Sequence, residues 1–157
     1  MAPKMLNFQF SIFNSRSALF FSTALSLLLS ILSSFLAERF LTDRIAIIGS
    51  FIGLEKAHNT GIAFSIHVPF QTVIVITALL TVMIVAWRSK GNRLQQAGFG
   101  CIIGGALGNI IDRLLDGLVT DYFQVGTFPV FNVADAFINV GVAILLLDMV
   151  LLYKKGN

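Results

Sequence analysis

Between Gly104 and Asn139 (GGALGNIIDRLLDGLVTDYFQVGTFPVFNVADAFIN) lie Asp112, Asp116, Asp121 and Asp135, half of the chain's eight acidic residues. Apolar runs flank the stretch, and an ionisable group at or near bilayer depth is costly, so each carboxylate there is a candidate for chemistry. Two carboxyl groups in contact cannot both ionise cheaply. Such a pair shares one proton and supplies an acid and a base near neutral pH. Asp135 is one expected member: Asn132, Asp135 and Asn139 recur at i, i+3 and i+7, a polar stripe on an otherwise apolar helix. Asn132 suits an N-cap, which places Asp135 in the first turn, where the helix dipole favours negative charge.

Asp112 and Asp121 compete for the other place. Arg113 follows Asp112 and is expected to hold it ionised, whereas apolar neighbours flank Asp121 in LVTDYF. Asp121 is therefore the expected partner of Asp135. Gly105, Asn109, Asp112 and Arg113 fall on one helical face at i, i+4, i+7 and i+8, which would turn an amide, a carboxylate and a guanidinium toward the stripe.

Other chemistries have little footing. The chain holds no GxSxG, no HExxH and no nucleotide-binding glycine loop. The single cysteine, Cys101, excludes an internal disulfide and a cysteine-based metal centre, and reads as a buried small hydrophobe. His58 and His67 lie in a loop-like region without an acidic cluster, so no metal is expected. Asp148 is expected to pair with a nearby lysine or to reach the interface.

The elements that must position these groups are membrane helices. At 56% hydrophobic and 12% charged residues, with a mean hydropathy of +0.85, the composition lies outside the soluble range. Uncharged runs long enough for a bilayer core give spans at about 18–37, 69–87, 94–111 and 133–153. The first is too long for a signal-peptide core and carries Phe35 where a cleavage site needs a small residue, so it reads as a retained helix. Gly100, Gly104 and Gly108 recur every four residues in the third span and predict close helix packing. Residues 38–68 form a polar segment. Within it Ile45 to Leu54 predicts short strands against the membrane face, and Asn59 to Ser65 a turn followed by another strand. Residues 112–132 form a second polar loop.

Lys4 and Arg16, then Arg88, Lys90 and Arg93, then Lys154 and Lys155 occupy segments free of acid, which predicts both termini on the cytoplasmic side and the two polar segments outside. The basic balance thus has a topological meaning rather than a nucleic-acid one. No repeat or linker divides residues 1–157, and a single integral membrane domain is expected.

Three blocks in order resemble those of the bacterial lipoprotein signal peptidase (signal peptidase II) family. NTGIAF is similar to Asn-x-Gly-Ala-Ala-Phe, GGALGNIIDR to Gly-Gly-Ala-x-Gly-Asn-x-x-Asp-Arg, and FNVAD to Phe-Asn-x-Ala-Asp, with LVTD between the last two. The resemblance covers roughly residues 18–153. It implies a mainly α membrane protein, a four-transmembrane-helix bundle with a small extracytoplasmic β-sheet and a flap-like segment. It implies an intramembrane aspartic endopeptidase of the bacterial cytoplasmic (inner) membrane, working at the outer face. The reaction would be cleavage of diacylglyceryl-modified prolipoproteins just before the lipidated cysteine, without metal or cofactor. Asp121 and Asp135 would be the catalytic pair, with Asn59, Gly61, Asn109, Asp112, Arg113 and Asn132 supporting the site or binding substrate. The implied partners are prolipoproteins, membrane lipids and the inhibitor globomycin, with no nucleic acid, and the protein would be a monomer.

One stretch departs from the pattern. The family's first helix ends in Asp-x-x-Ser/Thr-Lys, whereas SSFLAERF puts Ser33 or Ser34 in the acid's place and Glu38-Arg39 near that of the lysine. Two rivals follow: an inactive or divergent homologue that binds lipidated peptides, and a small transporter or channel subunit that uses the polar stripe as a pathway.

Overall fold

The computed structural model describes residues 15–61 and 70–156. Four helices and four strands follow in the order α1 (Ser15–Phe40), β1 (Ile45–Ile48), β2 (Ile52–Asn59), α2 (Gln71–Arg88), α3 (Arg93–Asp116), β3 (Val119–Val125), β4 (Phe128–Phe131) and α4 (Val133–Gly156). Three of these, α1, α3 and α4, are long and apolar enough to cross a membrane, and Val73–Arg88 of α2 forms a shorter apolar helix. Large apolar side chains such as Phe20, Leu28 and Phe35 of α1 and Leu146, Leu147 and Met149 of α4 point outward. A soluble fold would bury them; a lipid-facing helix has no reason to.

The helix ends differ from the expected boundaries. α1 continues to Phe40, α3 to Asp116 and α4 to Gly156, so Asp112 and Asp116 belong to a helix and not to a loop. The α3 helix stops where Gly117 takes φ +83° and its N–H bonds Arg113 O, the left-handed cap that glycine adopts without a Cβ penalty. The remainder of the expected 112–132 loop is a β-hairpin. Its strands join those of residues 45–59 in one antiparallel sheet of order β1-β2-β3-β4. The short strands expected over Ile45 to Leu54 are β1 and the start of β2, turning at Gly49 (φ +52°). The strand expected after Gly61 lies outside the described residues, as do Lys4, His67 and Asn157. No flap-like helix is present among described residues 41–61.

The glycine stripe of α3 packs on α1. A Cβ on Gly104 would stand 2.5 Å from Thr23 O and would collide with Ser26 Oγ, so the two backbones meet as the spacing predicts. Ser26 and Ser30 of α1 are buried in that contact, their hydroxyls bonded to carbonyls one turn back. On the opposite side of α3, Gly98 faces Gly141 of α4. At the far end, Ala37 of α1 and Leu41 just after it pack against Tyr122 of β3, which seats the sheet on the bundle.

Candidate active site

Strand alternation decides which way Asp121 points. Successive side chains of a strand face opposite sides: Val119 and Asp121 line a cavity, while Tyr122 packs on α1 and Thr120 Oγ1 reaches Glu38. The cavity, about 680 Å³, lies between the sheet and α3 and α4, with Asp121, Asp135, Asn109, Arg113 and Asn59 among its lining. Phe128 to Phe131 of β4 form one wall, and Ala106, Ile138 and Val140 lie deeper along the helices.

Two amides join the two carboxylates, and a third holds Asp121. Asn132 Nδ2 donates to Asp121 Oδ1 at 2.7 Å and to Asn109 Oδ1 at 3.0 Å. Asn109 Nδ2 donates in turn to Asp135 Oδ1 at 2.8 Å, and Asn59 Nδ2 to Asp121 Oδ2 at 3.2 Å. Every link is a neutral amide donor on a carboxylate or carbonyl oxygen, so the chain fixes both acids without neutralising either.

Asp121 is only 3% exposed. Burial first, then the charge of Asp135, push its pKa up to about 6, against the pull of the Asn59 and Asn132 amides and of Arg113. Asp135 therefore acts on Asp121 electrostatically as well as through the amide chain.

Arg113 departs from the expected pairing with Asp112. Its Nη2 donates to Gly61 O at 2.7 Å and its Nη1 to Asn109 O at 3.2 Å. Among the described residues no ion pair joins it to Asp112. Gly61 owes its place to Asn59, whose Oδ1 accepts from Gly61 N at 3.0 Å. Asp112 turns the other way and accepts from Ser34 Oγ at 2.6 Å and Thr120 N at 3.4 Å. A helical face is wide enough that i+3 and i+4 neighbours can serve different partners, which spacing alone does not resolve.

The structure thus gathers Asn59, Asn109, Arg113, Asp121, Asn132 and Asp135 around one cavity, with Gly61 held at its edge and Asp112 behind it. Asp116 stands apart, its Oδ1 accepting from Leu118 N at 3.1 Å. Asp148 corrects a further expectation: it is buried and accepts from Asn92 Nδ2 at 2.6 Å, with no lysine partner among the described residues. Sequence reasoning overlooked the β4 wall, although Gly126-Thr127 between two alternating runs is a hairpin signal. No cluster of metal-ligating side chains occurs among the described residues.

A helical membrane bundle with a sheet seated on one end, and two amide-linked carboxylates opening into a cavity, is the class of protein that fold and site define. A model of the signal peptidase (SPase) II family matches residues 22–151. A lipoprotein signal peptidase of Mesorhizobium japonicum is 41% identical over 114 residues, 67% of this chain and 68% of that protein. One of Shouchella clausii is 38% identical over 116 residues, 71% and 77% of the two chains. Two solved structures of a bacterial membrane enzyme, each 23% identical, share the fold with TM-scores of 0.74 and 0.73, covering 84% and 83% of this chain and 87% and 91% of theirs. The chain belongs to the signal peptidase II family.

Proposed function

We propose that this chain is an aspartic endopeptidase that removes signal peptides from diacylglyceryl-modified prolipoproteins, cutting just before the lipidated cysteine, with Asp121 and Asp135 as its catalytic pair. One observation carries the reading: both carboxylates open onto the same cavity and are bound to each other through Asn132 and Asn109.

Asp121, the buried member, carries the shared proton, and Asp135 acts as the base. Asp135 takes a proton from water as the water oxygen attacks the scissile carbonyl, while the Asp121 hydroxyl donates its proton to the carbonyl oxygen. In the collapse of the tetrahedral intermediate that oxygen returns its proton to Asp121. The leaving nitrogen takes the proton held by Asp135, and the C–N bond breaks. Asn59, Asn109 and Asn132 hold the carboxylates in place. Arg113 fixes the segment at Gly61, and Asp112 supports β3 from behind.

The cavity suits a substrate with two chemistries. Its polar end lies under the sheet, where a peptide would meet the aspartates. Ala106, Ile138 and Val140 supply an apolar continuation where acyl chains would lie. Arg16 Nη2 donates to Trp87 O at 2.8 Å and stands with Arg88 and Arg93 at the end of the bundle away from the sheet. That arrangement favours both termini in the cytoplasm and the site at the outer face of the inner membrane, with the whole chain acting as one membrane domain and as a monomer.

Incubation of the purified protein with a diacylglyceryl prolipoprotein, read by gel shift, tests this. Cleavage by the wild type, its loss in Asp121→Asn and Asp135→Asn, and inhibition by globomycin are expected. Retained cleavage by Asp135→Asn would end the dyad assignment. No cleavage by the wild type would favour the inactive homologue or the transporter subunit.

A further inference from the structure

The last turn of α1 breaks a local rule. A helix C-terminus favours cations and disfavours acids, yet Glu38 sits there, two residues before the helix ends at Phe40. A local preference overridden without an obvious packing gain marks a place where function constrains the residue. Glu38 also occupies the place near which the family pattern puts a lysine, so the signal peptidase II motif offers it no role.

Its contacts supply one. Lys56 Nζ donates to Glu38 O at 3.1 Å and approaches Oε1 at 3.4 Å. His58 Nε2 lies 3.1 Å from Oε2, and Thr120 Oγ1 donates to the same oxygen at 3.3 Å. Lys56 and His58, two apart on β2, reach Glu38 from one face of the strand. One turn earlier on α1, Ser34 Oγ donates to Asp112 Oδ2 at 2.6 Å, and that oxygen also accepts from Thr120 N at 3.4 Å. A closed circuit results: Ser34 to Asp112, Asp112 to Thr120, Thr120 to Glu38, and back along α1.

Thr120 is the residue before Asp121, and His58 the residue before Asn59. His58 pairs with Thr120 across the sheet, and Ala57 with Asp121. The circuit therefore grips the back of the two strands whose front presents Asp121 and its donor Asn59 to the cavity. We propose that Glu38 is a positioning residue, which clamps β2 and β3 to the end of α1 through Lys56, His58 and Thr120 and so holds Asp121 in its working orientation. The role rests on the peptidase reading above. It also answers the departure at SSFLAERF, because the acid stands on the helix and the lysine comes from the sheet.

The test compares Glu38→Ala, Glu38→Gln, Thr120→Val and the Glu38→Ala/Thr120→Val pair, scored per folded molecule. Each Ala or Val change lowers kcat about tenfold with KM little altered, because a misoriented group slows chemistry more than binding. The double variant loses no more than the worse single one, as expected for two links of one circuit. Thr120→Ser, which keeps the hydroxyl, restores kcat, and Glu38→Gln, which keeps the acceptor but not the charge, falls between. A second readout needs no turnover. The Asp121 carboxyl, which faces the charges of Asp135 and Arg113, is titrated by infrared difference spectroscopy against Asp121→Asn. In Glu38→Ala its midpoint rises as the Asn59 and Asn132 donors loosen. Unchanged kcat per folded molecule in Glu38→Ala, additive losses in the double variant, or an unmoved Asp121 midpoint would each overturn the proposal. Absence of cleavage by the wild type with a moving midpoint would fault the peptidase reading alone.

Discussion

Asn132 and Asp135 hold each other reciprocally: Asn132 Oδ1 accepts from Asp135 N at 2.9 Å, and Asp135 Oδ2 accepts from Asn132 N at 3.4 Å. That is a capping box with an aspartate in the third helical position. The same Asn132 side chain bonds Asp121 and Asn109. The start of α4 and the geometry of the site are therefore fixed by one residue.

Asn132→Ala should cost stability and activity together. Loss of the cap is worth about 1 kcal/mol of unfolding free energy, and loss of the amide chain should lower kcat about a hundredfold. Asn132→Ser separates the two, since serine caps the helix but is too short to reach both Asp121 and Asn109. Thermal unfolding in detergent and the cleavage assay together check this; equal activity in Asn132→Ser and wild type would show the chain to be dispensable.

The raised pKa of Asp121, about 6, makes activity fall as pH rises. The proton it donates is present below that value and lost above it. The alkaline limb of kcat/KM, which reports the free enzyme, should fall with a midpoint near 6. A profile flat from about pH 5 to about pH 8, a span that brackets the raised pKa, would remove Asp121 from the donor role.

The same shift acts on stability as well. A carboxyl whose folded pKa exceeds its unfolded value binds its proton more tightly when folded, so stability is lost as pH rises from about 4 through about 6. Asp121→Asn removes that term and should be the more stable protein at neutral pH, by up to about 3 kcal/mol, while being inactive. A thermal midpoint for Asp121→Asn below that of the wild type at pH 8 would contradict the desolvation argument.

Gly104→Ala tests the helix contact rather than the chemistry. The added Cβ meets Thr23 O at 2.5 Å, a backbone atom that cannot rotate aside, so α1 and α3 must part. A loss of about 1–3 kcal/mol is expected, measured by unfolding in detergent. Wild-type stability would mean that the two helices separate without cost.

Asp148→Asn should leave cleavage unchanged, since Asp148 lies with Asn92, the residue that caps α3, at the end of the bundle remote from the cavity. Asp148→Leu should destabilise by about 1–3 kcal/mol because it strands the Asn92 amide. Lost activity in a folded Asp148→Asn would require coupling along α4.

The helices and the carboxylates were legible because their signals are local. Apolar run length marks a span, and the polar stripe at Asn132, Asp135 and Asn139 can be counted along one helix. The sheet was half legible: the β-branched run at Ile45 to Leu54 was visible, but the 119–131 hairpin was hidden by reading Asp121 and Gly126 as loop. Partners across space were the hardest. Nothing in the neighbourhood of Asp112 says that it will choose Ser34 over Arg113, or that Asp148 will choose Asn92 over a lysine. Those choices are set by the distance between backbones, and that distance is set by glycines elsewhere in the chain.

The bare flanks of α3 carry a consequence for alignment. Its backbone meets α1 beside Gly104 and α4 at Gly98 and Gly141, so both neighbours are seated against the same rod. A slide of either neighbour by one turn, about 5.4 Å, would drive side chains into those notches, and a slide of α4 would also break the Asn109–Asp135 and Asn132–Asn109 bonds. Bulk together with hydrogen bonding thus holds α1 and α4 at a fixed height along α3.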